Sequence, residues 1–163
     1  HQIAMSHQPN AVGAVGQVKV FPNSRNVIPG SVFMTVDFRH PEDGTLSAMD
    51  AALQEGVKAI TDGIGLECEI KQVFYYKPVA FDAECVAAVR RAADHFGYKH
   101  RDIVSGAGHD ACYLARVAPT SMIFTPCVDG ISHNEAEDIS QDWARMGTNV
   151  LLHAVLEKAE IVA

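Results

Sequence analysis

No stretch of this 163-residue sequence stays apolar for the roughly 18 residues that a membrane-spanning helix requires. The opening residues, His1 to Ser6, lack the charged-then-apolar pattern of a secretion signal. Basic residues are scarce, 13 against 20 acidic, for a formal net charge of −7. A chain whose main partner is nucleic acid or an anionic membrane needs a basic face, so neither partner is expected. Cysteine is sparse too. Cys68, Cys85, Cys112 and Cys127 form no CxxC pair and no dense framework. Zinc-ribbon and disulfide-scaffold classes are thereby disfavoured, and reduced thiols in a cytoplasmic setting are the expectation. There is no internal repeat, no low-complexity tract and no phosphate loop. What remains is ordinary globular composition, 48% apolar and 20% charged, enough for one domain or two small ones.

The first half alternates between two periods. Residues 11–21 place Val12, Ala14, Val18 and Val20 on one side of a predicted strand. Pro22-Asn23-Ser24 is turn chemistry, and Pro29-Gly30 precedes a second strand with Val32, Met34, Val36 and Phe38 on one face. Two strands so close in sequence should pair antiparallel. A helix is expected over 45–62, because Leu46, Met49, Leu53, Val57 and Ile60 recur on one helical face, with Thr45 as N-cap and Gly63 as stop. A third strand is expected over 66–77. The order strand, strand, helix, strand describes most of an open α+β sandwich, an antiparallel sheet with helices on one face, and residues 1–8 read as the tail of a further helix.

The second half reads as α/β. Asp82 should cap a helix to about Phe96, with Cys85, Val86, Val89, Ala93 and Phe96 inward and Gly97 as the stop. Short strands are expected over 103–109 and 121–125, a short helix over 110–117, a polar loop over 129–138 and a last helix over 140–158 whose inward stripe is Trp143, Met146, Val150, Leu151 and Val155. The boundary between the halves falls near 77–80, giving domains 1–77 and 80–163.

Few residues point to chemistry on spacing alone. His133 sits in a loop that follows an apolar strand, a position where α/β sites gather. It can be a metal ligand or a base, but no His, Asp or Glu cluster beside it supplies the three or four ligands an ion needs. Glu135 and Glu137 read as charges near a helix N-terminus. Ser105-Gly106-Ala107-Gly108 is a Gly-rich turn whose backbone amides can hold a carboxylate or can simply make a bend. Asn26 and Arg39 lie near a turn and a strand end. The Arg39 fork matches a carboxylate, and its plain alternative is an ion pair with Asp37. His95, His100 and His153 read as ordinary surface positions, and Cys112 reads as packing.

Taken in order, Phe21-Pro22-Asn23-Ser24-Arg25-Asn26-Val27-Ile28-Pro29-Gly30, Asp37-Phe38-Arg39-His40-Pro41, Ser105-Gly106-Ala107-Gly108-His109-Asp110-Ala111 and Ile131-Ser132-His133-Asn134-Glu135 resemble the N-carbamoyl-L-amino-acid hydrolases. These are amidohydrolases of the M20 metallopeptidase clan, grouped with allantoate amidohydrolases and β-ureidopropionases. The resemblance spans essentially the whole chain. It implies a partial lid or dimerisation domain over 1–77, followed by the C-terminal part of a zinc-peptidase-like α/β catalytic domain over 80–163.

By the same resemblance, His133 falls on a metal ligand, Asn26 and Arg39 on lid residues that grip the substrate carboxylate, and Gly108 on a turn whose backbone meets substrate. The complete enzyme would use two divalent ions (zinc, manganese, cobalt or nickel) and hydrolyse N-carbamoyl-L-amino acids to L-amino acid, ammonia and carbon dioxide. It would be a homodimer joined through the lid. The family's Glu-Glu pair, which carries the general base, and its His-x-Asp motif are both expected to be missing from this chain. That pair, that motif, a further metal-binding His and a lid His from the partner subunit are expected upstream. The chain, which opens on His1, therefore reads as the C-terminal portion of such an enzyme, with no catalytic residue of its own, no tight metal site and no activity alone. The reading from another class is a non-catalytic pairing module that uses the open edges of its sheet.

Overall fold

The computed structural model describes residues 1–159. The described residues divide into two compact units, His1–Pro78 with Val104–Gly106, and Val79–Ile103 with residues 107–159.

In the first unit, α1 (Gln2–Ser6) leads into a ribbon of β1 (Val12–Phe21) and β2 (Ser31–Arg39), then α2 (Asp43–Ile64). The strands pair antiparallel from Val12↔Arg39 to Phe21↔Ser31, with a register shift between Val15 and Gln17. That shift corrects the predicted face of β1. Directly opposed residues share a face, so Val15, Val18 and Val20 lie with Val36, Met34 and Val32, while Val12 and Ala14 fall on the other side with Arg39 and Asp37. One extra residue, Gly16, inverts the alternation, as any one-residue slip does.

The helices cover one side of the ribbon. Ala4, Ala11 and Met49 are buried together, with Ile3 and Phe38 packed on them. A Cβ at Gly13 would lie 3.0 Å from both Ala4 Cβ and Phe38 Cε1, so glycine is what lets α1 approach β1. α2 is longer than expected at both ends. Glu42 is its N-cap, and Thr45 instead donates to the Glu42 carboxylate at 3.0 Å. The helix runs through Gly63 and stops at Gly65, whose φ of 70° is the left-handed value that ends helices; the Leu66 amide then closes on the Thr61 carbonyl at 2.9 Å. Of the expected α2 stripe, Met49 is fully buried, Leu46, Leu53 and Val57 are partly covered, and Ile60 is exposed.

The third strand does not form. Residues 66–77 join no ladder, although the Phe74 and Tyr76 rings stack 6.4 Å apart, as side chains two apart on one face of an extended segment do. Among the described residues the sheet has two strands.

The second unit is built on α3 (Ala83–His95) and α5 (Gln141–Lys158), with α4 (Asp110–Leu114) and a 3-10 turn (Val128–Gly130) between them. Asp82 caps α3 by accepting from the Cys85 amide at 2.8 Å, and Ser140 caps α5 by accepting from Trp143 at 3.2 Å. The core is smaller and more alanine-rich than the periodicity suggests: Ala88, Ala92, Ala93, Val150 and Ala154, with Val89, Tyr98 and Ile123 beside them. Cys85 and Val86 are only half-buried, and Leu151 and Val155 face outward, because small residues allow the close approach and the larger ones are left at its margin. The strands expected over 103–109 and 121–125 join no ladder among the described residues. Strands of a parallel sheet take their hydrogen bonds from neighbours on either side, and no described segment serves as that neighbour.

Candidate functional site

Arg39 ends β2 with its guanidinium already engaged. Nε donates to both carboxylate oxygens of Asp37, at 3.1 and 3.3 Å, and Nη2 donates to Oδ2 at 2.7 Å. Nη1 donates to the Gly106 carbonyl at 2.6 Å. The alternation of β2 sets this up: residues 37 and 39 are two apart and point to the same side. The ion pair holds the Asp37 carboxyl below the usual carboxylate range, first through the hydrogen bond from Arg39, and raises Arg39 correspondingly. Both side chains are 52% exposed, so the pair contributes little to stability, about 0.2–1 kcal/mol at most. The expected Arg39–Asp37 pairing is thus present, and it fixes the fork's plane at the strand end.

Asn26 is exposed in the loop that joins the strands, its Oδ1 accepting from Ser24 Oγ at 2.9 Å. Its amide nitrogen stays available as a donor. The ribbon does not bring Asn26 and Arg39 together. Asn26 lies beyond Ser31 at one end and Arg39 at the other, about 26 Å of strand away.

His133 stands near the tip of a tied loop. Val128 N–H reaches the Asp138 carbonyl at 2.8 Å and closes the base. Glu137 accepts from the His133 amide at 2.7 Å, and Asn134 Oδ1 accepts from Ala136 N–H at 2.9 Å. Glu137 is therefore a brace for the loop. His133 itself is exposed and has φ 57°, with Asp129 (φ 54°) and Gly130 (φ 69°) also left-handed. A non-glycine residue in that region is uncommon and costs local strain, which is found most often where a side chain must be aimed.

Gly108 is exposed, and a Cβ there would meet nothing within 4 Å. Neither Gly106 nor Gly108 has a left-handed φ, so neither the bend nor the packing of this chain requires glycine at those positions. α4 begins at Asp110, with His109 as the N-cap.

Two features escaped the sequence reading. His95 and His153 are partners, their rings 4.4 Å apart and 27° from parallel, and His153 Nδ1 is buried without a hydrogen-bond partner. Their placement on separate helices hid this. A His-x-Asp spacing also occurs, at His100 and Asp102. Asp102 is paired with Arg90, and His100 Nδ1 lies 3.7 Å from an Asp94 carboxylate oxygen. Among the described residues no three His, Cys, Asp or Glu side chains gather as a metal site. One exposed imidazole does not hold a catalytic ion against water, so the described residues do not by themselves fit a metal centre.

The chain is a mixed α+β protein that presents an oriented arginine fork at the end of β2 and an exposed imidazole on a tied loop. A family model described as "Peptidase family M20/M25/M40" matches residues 5–157, and the chain belongs to that family. Family members generally bind divalent metal ions. An N-carbamoyl-L-amino-acid amidohydrolase of Rhizobium meliloti is 54% identical over 160 residues, covering 98% of this chain and 38% of that protein. The allantoate amidohydrolase of Escherichia coli K12 is 37% identical over 122 residues, 75% of this chain and 30% of that protein. A crystal structure of a hydantoinase/carbamoylase-family amidase from Burkholderia multivorans superposes with a TM-score of 0.94 at 65% identity, covering 97% of this chain and 38% of that one. The chain thus spans well under half the length of these relatives. No helix among the described residues is long and apolar enough to cross a membrane.

Proposed function

We propose that this chain is part of an amidohydrolase that cleaves N-carbamoyl-L-amino acids to L-amino acid, ammonia and carbon dioxide. The observation that carries the reading is the Arg39 fork, held by Asp37 in a fixed plane on a protein 54% identical to an N-carbamoyl-L-amino-acid amidohydrolase. In this reading 1–77 is the later part of a lid and dimerisation domain, and 80–163 is the end of the catalytic domain. Arg39 binds the substrate carboxylate end-on, Asn26 donates to it, and the exposed backbone at Gly108 lies against the substrate. His133 is one ligand of a two-ion centre, zinc, manganese, cobalt or nickel, whose other ligands come from outside this chain. Alone, the chain is inactive and binds no ion tightly. The enzyme works in the cytoplasm.

The place of Arg39 at the end of the ribbon away from the loop that holds Asn26 supports a single carboxylate being gripped by residues of two protomers. That accords with a homodimer formed through the lid, for which the ribbon offers unpaired strand edges. Light scattering on the full-length protein should give a dimer; a strict monomer sinks this arrangement. The central test is Arg39→Lys in the metal-loaded full-length enzyme. A point charge replaces a two-pronged contact, so KM for an N-carbamoyl amino acid should rise about tenfold or more, and an unchanged KM removes Arg39 from substrate binding.

A second reading, allantoate as substrate, is favoured by the 37% identity to an allantoate amidohydrolase. Both substrates carry the carboxylate that Arg39 would bind, and a panel of N-carbamoyl amino acids, β-ureido acids and allantoate on the full-length protein separates them.

A further inference from the structure

We infer that Asp37 is the positioning residue for Arg39, the group that turns the guanidinium so that its end-on edge faces the substrate carboxylate; the inference rests on the carboxylate-binding reading above.

A guanidinium carries five N–H donors on a flexible stem. Asp37 takes the side-on edge, through Nε at 3.1 and 3.3 Å and Nη2 at 2.7 Å, and the Gly106 carbonyl takes one hydrogen of Nη1 at 2.6 Å. One hydrogen remains on each Nη. Two donors from neighbouring nitrogens match the two oxygens of a carboxylate. The placement is specific to this register. Asp37 and Arg39 share a side of β2, and their cross-strand partners there are Ala14 and Val12, which offer no competing charge. At 52% exposure on each side the pair does little for the fold, which leaves orientation as its work. Asp37 also cancels part of the charge that would attract an anion. Its presence so close to an anion-binding arginine makes sense where alignment of the fork matters more than net charge.

The experiment uses the metal-loaded full-length enzyme and an N-carbamoyl-L-amino acid. Asp37→Asn keeps the shape and removes the charge. KM is expected to rise about tenfold with kcat changed by less than about threefold, while the thermal midpoint stays where it is. Asp37→Glu, which keeps the charge on a longer stem, should show a smaller rise, and it carries the test should the Asn variant fail to fold. In an Arg39→Lys background the Asp37→Asn change should alter KM by less than about twofold, because the group it orients is gone. A structural role would persist in that background. A KM for Asp37→Asn at or below that of the unaltered enzyme, with Arg39→Lys still raising KM, overturns the positioning role and leaves Arg39 as the carboxylate site. An unchanged KM for Arg39→Lys overturns the carboxylate reading itself.

Discussion

In the first unit the large apolar side chains of the ribbon stay in the open, Val18 at 55% and Phe33 at 53% exposure, while the burial is done by Ala4, Ala11 and a completely enclosed Met49. In the second unit two helices close on Ala88, Ala92, Ala93, Val150 and Ala154, and the cover is shared among many small contacts. One unit is pinned by a single long side chain under a sheet that is bare on much of its area. The other is a distributed contact between two capped helices. Isolated two-stranded ribbons are marginal in water, so the first unit depends on the few groups that anchor its helices to the sheet. The contrast also separates the candidate residues. Arg39 and Asn26 sit on the sparsely buried ribbon, whereas His133 sits on a loop tied by its own hydrogen bonds.

The sharpest way to break this comparison is Met49→Ala. Its side chain is 0% exposed, and truncating a buried methionine costs about 2–5 kcal/mol, seen as a lower urea midpoint with loss of the ribbon's signal. A loss under about 1 kcal/mol would mean that the first unit is not pinned by one residue. The second unit has its own pressure point. A Cβ at Gly147 would lie 2.5 Å from Thr125 Cγ2, so Gly147→Ala should cost about 1–2 kcal/mol after the better helix propensity of alanine is counted. Thr125→Ser, which removes Cγ2, should recover most of that loss in the double variant; no recovery would locate the strain elsewhere. Ser140→Ala removes the cap of α5 and should cost about 1 kcal/mol by chemical denaturation, without affecting the ribbon.

The smallest expected effect is one of pH. The Cys85 backbone amide holds the Asp82 carboxyl below the usual carboxylate range. A carboxyl depressed in the folded state binds fewer protons folded than unfolded, so its contribution is complete above the unfolded pKa and fades as pH falls through the folded one. Asp82→Asn keeps a capping oxygen and should flatten the acid limb of the thermal midpoint while leaving the neutral value nearly unchanged. An unaltered acid limb would show that the cap's charge contributes nothing.

The local rules written into the sequence carried far. Period two gave both ribbon strands, Asp82 and Ser140 announced two helix starts, and the turn residues placed the loop that holds Asn26. Gly16 was visible as a glycine inside a strand, a common mark of a bulge, yet its consequence for the faces needed the partner strand's register. The pairing of Arg39 with Asp37 was also legible, being local. The Gly106 carbonyl, 67 residues away, was not.

What the sequence determined by itself, then, is what neighbours along the chain can settle: the two ribbon strands, the long helices, and the starts of α3 and α5 at Asp82 and Ser140. Tertiary structure alone decided which strand-like segments join a ladder, since a ladder needs a partner and residues 66–77, 103–109 and 121–125 find none among the described residues. It also set Asn26 and Arg39 a ribbon's length apart, because antiparallel pairing puts the connecting loop and the last residue of the second strand at opposite ends.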